Sequence, residues 1–252
     1  MRLFFAGLFI FFCFHFSFSQ KTNVKVPYYP NERVEYSLKY GIFKVGKAHL
    51  EFSFDEKCRG AYIKAYAKSS GLIKLFKNIH LRYECCMDTT TGLPYTDSRI
   101  LIEGDYVDTS TVYYDRISQE NSTLIYSKKT DTVVGPQNIY DLLSGFYHYR
   151  ANYLTDNLIL NQTITTTTFF IDEIWDLSIK YCGKETINTK YGYKECLKVK
   201  PITILGHFFR TSDAMTIWFT NNEEYLPVKF LINFRLGSLE GNITDYKGCI
   251  IK

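Results

Sequence analysis

The run Arg33-Val34-Glu35-Tyr36-Ser37-Leu38-Lys39-Tyr40 alternates without a break, with every even position apolar and every odd one polar. A side-chain period of two belongs to a strand with one face in a core and the other toward solvent. The pattern returns in Lys47–Phe54, with Ala48, Leu50, Phe52 and Phe54 on the apolar side. Further strand-like runs are Ala61–Ala67, Ile79–Met87, Ser98–Tyr106, Thr111–Arg116 and Thr123–Ser127. Thr163–Ile171 and Ile174–Tyr181 form a candidate pair, and Tyr193–Pro201 returns beside the second. Met215–Thr220 and Leu226–Phe234 read as a hairpin around Asn221–Glu224, and Leu239–Tyr246 closes the series. Aromatics make up 17% of the chain, with 21 Tyr and 20 Phe, and such rings pack well on a pleated, half-buried surface.

One segment breaks the period. After Gly135-Pro136, the residues Ile139, Leu142, Leu143, Phe146, Tyr149 and Tyr153 recur at three- and four-residue steps. That spacing predicts an amphipathic helix over 138–153, with Asn138 or Asp141 as its N-cap. Roughly a dozen short strands and one helix give an all-β, mainly antiparallel fold: a curved sheet, open barrel or sandwich. A single β-rich domain over 20–252 is expected, and any subdivision falls near residue 155, after the helix.

The N-terminus is of another kind. Arg2 precedes Leu3–Phe16, about 14 nearly continuous apolar residues, short of the roughly 20 needed to span a bilayer as a helix. Ser17-Phe18-Ser19 then offers small residues for a signal peptidase. Residues 1–19 are expected to be a cleaved signal peptide, with the cut between Ser19 and Gln20 and the mature chain periplasmic or extracellular. A retained anchor is the competing reading. A lipidated Cys13 is a third, disfavoured because bulky Ile10-Phe11-Phe12 precedes it. After cleavage no integral membrane segment is expected.

Six cysteines follow the leader: Cys58, Cys85, Cys86, Cys182, Cys196 and Cys249. Export permits disulfides, and no C-x-x-C pair points to a metal. Cys85 and Cys86 are adjacent, so on a strand they face opposite ways. Cys182 and Cys196 are the candidate bridge, since they flank a hairpin with matching parity. The loop counts against it. A three-residue turn at Lys190-Tyr191-Gly192 sets Thr189 opposite Tyr193 and Cys182 opposite Lys200, leaving Cys196 out of register.

The order and spacing of several short pieces add a resemblance. They are Glu32-Arg33-Val34-Glu35-Tyr36 with Gly41, Val45-Gly46 and Ala48, then Gly71-Leu72, Leu75-Phe76, Asp88, Pro94 and Glu103-Gly104. Tyr140-Asp141-Leu142-Leu143-Ser144 with Tyr147 and Arg150 is the sharpest. Gly183-Lys184-Glu185, Gly192, Ile217-Trp218-Phe219 and Leu226-Pro227-Val228 complete it. The chain resembles the bacterial family catalogued as domain of unknown function 3108. The resemblance implies an exported, mostly antiparallel β protein and implies no activity. One departure is Asn78-Ile79-His80, where an acidic residue is expected soon after Leu75-Phe76.

Catalytic patterns are missing from the sequence. It has no G-x-S-x-G elbow and no H-E-x-x-H, and His49, His80, His148 and His207 are isolated. No catalytic residue, metal site or cofactor is assigned. Basic residues are scattered among acids at a net charge of +4, so no nucleic-acid partner is expected. The candidate ligand-binding set is Asp141, Ser144, Tyr147, Arg150 and Trp218. In one reading Arg150 and Tyr147 flank a bound anion or headgroup, because arginine offers a planar five-donor fork. In the other, Asp141 caps the helix, Ser144 satisfies its first turn, and Arg150 ties the last turn to a strand carboxylate. Trp218 divides likewise between site and core. The function expected is a non-enzymatic binding module for an apolar or lipid-like ligand in the cell envelope. The alternative is a structural or assembly factor binding envelope proteins.

Overall fold

The computed structural model describes residues 31–58, 60–71, 74, 78–116, 121–129, 131–202 and 214–248. Leader residues 1–19, the Ser19–Gln20 cut, Leu72, Leu75-Phe76, His207 and Cys249 lie outside that set.

Thirteen of the strands expected or extended from sequence, and one more, join in chain order. They are β1 (Glu32–Tyr40), β2 (Phe43–Asp55), β3 (Gly60–Ser69), β4 (Ile79–Met87), β5 (Pro94–Glu103), β6 (Tyr106–Asp115) and β7 (Ser122–Ser127). After the short β8 (Val133–Pro136) comes the helix α1 (Leu142–Asn152). The second half holds β9 (Thr163–Phe170), β10 (Glu173–Thr189), β11 (Gly192–Ile202), β12 (Met215–Thr220), β13 (Pro227–Phe234) and β14 (Gly237–Lys247). Among the described residues these form one antiparallel sheet, ordered β8-β7-β6-β5-β4-β3-β2-β1-β14-β13-β12-β11-β10-β9. The chain ends meet in the middle, where β1 pairs with β14, so strands on both sides of residue 155 share the sheet.

The sheet curls into a nearly closed barrel. Its two edge strands approach each other across Tyr140, which bridges in parallel to Thr168 of β9. Tyr140 N–H donates to Thr167 O at 3.0 Å, and Phe169 N–H donates to Tyr140 O at 2.8 Å. Closure of this kind removes exposed edges that would otherwise pair with other chains. No helix among the described residues is long and apolar enough to cross a membrane.

The period-two reading of β1 carries through: Val34, Tyr36 and Leu38 are buried, together with Glu32 on the same face. Strand register places Phe52, Ile63 and Cys85 on that inner face too. Phe54 shares it by parity but is 54% exposed, because it stands at the strand end, opposite the small Ala61 and edge-on to the Phe52 ring. The expected strand Ser98–Tyr106 is interrupted by a turn at Gly104-Asp105, where Gly104 has φ +62°, and β5 and β6 form a hairpin instead.

The helix starts at Leu142, later than the expected 138. Tyr140 is committed to the β9 bridge, and Asp141 caps α1. Asp141 accepts from Leu143 N–H, and Ser144 Oγ accepts from Asp141 N–H, the reciprocal capping box. Leu143, Ser144, Gly145, Tyr147, Tyr149 and Arg150 are all buried, so burial extends around most of the helix. An enclosed helix gains its stability from packing on several sides rather than along one stripe.

The candidate bridge between Cys182 and Cys196, which the hairpin register counts against, is not formed. Both are free thiols, and the disulfide joins Cys58 to Cys86. The β10–β11 register places Thr189 opposite Gly192, one residue from the expected pairing, and sets Cys196 opposite Glu185. Cys182 falls in an irregularity between Tyr181 and Lys184, out of reach of Cys196. Cys58, in a 3-10 turn at Glu56–Cys58 just before β3, folds back onto Cys86 of β4.

Candidate functional site

Three features occupy the barrel interior. The first is the anchor of the helix. Arg150 Nη1 and Nη2 donate to Glu32 Oε1 and Oε2 at 2.6 and 2.7 Å, and Arg150 Nε and Nη2 donate to Glu224 O. Tyr147 O–H donates to Glu32 Oε1 at 3.2 Å. Both charged side chains are 1% exposed, a bidentate pair held at the start of β1. The arginine fork is therefore engaged by the protein itself.

The second is a polar cluster beside the helix N-terminus. Asp97 on β5 is buried and accepts from Tyr114 O–H at 2.7 Å. Asp141 accepts from the Cys85 thiol at 3.0 Å. Burial, with the Asp141 charge adding to it, pushes the Asp97 carboxyl up to about 8. Burial also raises Asp141, against hydrogen bonds from Cys85 and Ser144. The Tyr83, Tyr114 and Cys85 protons are held far more tightly than usual, again chiefly by burial. Such a cluster keeps protons at neutral pH in a place water reaches poorly. A narrow cleft of about 10 Å³, room for about one water, reaches Asp97 between Arg99, Val112, Phe169 and Ile171.

The third feature is a gradient of burial along single strands. Opposite α1, the inward residues Phe52, Ala61, Ile63, Cys85 and Met87 are 0–1% exposed. Farther along the same face toward the other end, Leu50, Ala48, Ala65, Ala67, Leu81 and Leu101 are only partly buried. The helix closes one end of the interior, and the other end keeps accessible apolar surface. Small side chains widen it, for Ala48 and Ala67 face each other across β2 and β3.

Asp141, Ser144, Tyr147 and Arg150 thus share one helix, although Asp141 and Ser144 belong to the polar cluster and Tyr147 and Arg150 to the ion pair. Trp218 is not with them. It pairs with Lys229 and Lys198, while its neighbours Ile217 and Phe219 pack with Tyr149 from the helix. Trp218 therefore projects from the opposite face of β12. Its indole N–H donates to Glu185 at 3.1 Å, and the Lys198 and Lys229 ammonium groups lie 5.6 and 5.3 Å from its ring. Asp97 and Glu32 escaped the sequence reading as site residues. Extending the alternation of β5 back through Asp97 places it on the face of Leu101, which would have marked an inward carboxylate. Among the described residues no group of three or more His, Cys, Asp or Glu is placed to hold a metal.

Residues 35–244 match the family described as "Protein of unknown function (DUF3108)". No curated protein matches the chain. A solved structure described as a beta-barrel-like protein of domain of unknown function DUF1849 from Brucella abortus is similar, with a TM-score of 0.60 at 9% identity. The similarity covers 86% of this chain and 97% of that one, and it shows a shared barrel-like fold. A DUF1089 family protein from Pseudomonas aeruginosa aligns at a TM-score of 0.36 with 10% identity, over 83% of this chain and 93% of that one.

Proposed function

The chain belongs to the DUF3108 family, whose description names no activity, and from its geometry we propose that it is an exported binding module for an apolar or lipid-like ligand. The burial gradient carries this reading. The same strands that are fully buried against α1 leave Leu50, Ala67, Leu81 and Leu101 accessible beyond it. An acyl chain laid there would cover this surface, as apolar ligands do in the mouths of β-barrels. The helix acts as a fixed plug, tied by the Arg150–Glu32 pair, and sets the depth of the site. Export follows from the leader, and a chain recovered outside the cytoplasm should begin at Gln20.

The test is native mass spectrometry of protein purified from the extracytoplasmic fraction. An added mass that organic extraction removes and identifies as a lipid supports the reading. A bare protein mass that stays bare after incubation with envelope lipids contradicts it. A partner recovered by crosslinking to that bare protein would favour the assembly-factor alternative.

A further inference from the structure

At the barrel end away from α1, two hairpin tips stand side by side. Gly41-Ile42 joins β1 to β2, and Arg235-Leu236 joins β13 to β14. Tyr40 pairs with Leu239, Gly41 N–H donates to Ser238 O, and the Tyr40 ring lies where a Cβ on Gly237 would sit, 2.8 Å from its hydroxyl. The tips form one platform. On it Ile42 is 88%, Phe43 69% and Leu236 85% exposed.

Below the tips the outer face is basic. Lys39 lies directly opposite Lys44, and Lys47 directly opposite Lys68, all four exposed. Like charges facing each other across strands cost stability unless an anion joins them. The remaining cross-strand neighbours are Glu240 beside Lys39, Ser37 beside Lys47 and His80 beside Lys68. Glu240 is already held by Lys229 and Asn242. Exposed Arg235 adds a further positive charge on the second tip. Large apolar side chains projecting past a collar of exposed cations, in which Glu240 beside Lys39 is the one facing carboxylate among the described cross-strand neighbours, match the layering of a bilayer surface, with acyl chains beneath anionic headgroups.

We propose that this platform docks on an anionic membrane surface, with Ile42, Phe43 and Leu236 entering the interface and Lys39, Lys44, Lys47, Lys68 and Arg235 meeting the headgroups. The docking is separate from ligand binding inside the barrel, although it would turn the accessible mouth toward the lipid. The test is co-sedimentation of the exported protein with phosphatidylcholine vesicles, with and without phosphatidylglycerol. Binding should require phosphatidylglycerol and weaken steeply with salt. Lys44→Gln with Lys47→Gln should weaken it roughly thirtyfold. Ile42→Asp with Leu236→Asp should abolish it, with the far-UV spectrum and melting temperature of the parent retained.

Absence of binding to the phosphatidylglycerol vesicles overturns the proposal. So does binding that the tip variants leave unchanged, which would place attachment at the N-terminus they all share. A dimer that the tip variants convert to monomer, without vesicle binding, would assign the platform to a second copy instead. Ala67→Trp, which fills the interior, should leave vesicle binding intact, so the two readings fail separately.

Discussion

Burial takes Asp97 far from the chemistry of an exposed carboxylate. Its carboxyl titrates near 8 in the fold against about 4 in an unfolded chain, so the folded state holds the extra proton between those values. Stability from this group is therefore present at low pH and lost as pH rises through about 8. His49 and His148, lowered to about 4 by burial, act oppositely: their contribution is present above about 6.5 and lost as pH falls toward 4. Near pH 6.5 the two terms offset each other, and above about 7 the histidines are mostly neutral in both states, so the carboxyl dominates. Melting temperature should fall between about pH 7 and 8, by the order of 1 kcal/mol of stability per pH unit. Asp97→Asn, which keeps an acceptor for Tyr114, should flatten most of that slope. A slope unchanged in the variant would assign it elsewhere. Arg150→Met should cost about 3–5 kcal/mol in urea unfolding, since it strands Glu32 without its charge partner. Adding Glu32→Leu to it should recover part of the loss.

At the scale of elements, the capping box and the disulfide make contrasting predictions. Ser144→Ala removes one half of the reciprocal cap and should cost about 1 kcal/mol. The Cys58–Cys86 bridge closes a loop with a sequence separation of 28, and replacing both cysteines by serine should cost about 3–4 kcal/mol. Cys182→Ser, at a half-buried position in the irregular β10 segment, should change stability by less than about 0.5 kcal/mol. Peptide mapping without reduction should recover Cys58 linked to Cys86.

These elements also show what the sequence makes legible. The alternation in β1 and β2 is local, and it identifies their buried faces directly. Asp141 as N-cap and Arg150 as a tie to a strand carboxylate follow from residue type and helix position. The identity of that carboxylate does not, because Glu32 is 118 residues away in sequence. The disulfide escaped for a similar reason. Cys58 reaches Cys86 through the pairing of β3 with β4, and the long connection between Ser69 and Ile79 leaves that register open in the sequence. Asp97 is legible in part: its parity with Leu101 marks the inward face, while its depth of burial depends on the barrel closing over it.

The whole molecule is a sheet that returns to its own start, with β1 beside β14 and Tyr140 drawing the two edges together. Among the described residues the helix fills one end of the space this encloses. The proposed ligand site lies toward the other end, and an apolar fluorescent probe tests it most directly. The protein without residues 1–19, extracted with organic solvent and refolded, is titrated with a fluorescent fatty acid. Ala67→Trp, placed among the accessible inward residues, is titrated beside it. Saturable binding by the parent, weakened tenfold or so by the tryptophan at unchanged melting temperature, is the expected result. No saturable binding by the parent, or equal binding by both, would contradict a ligand site inside the barrel.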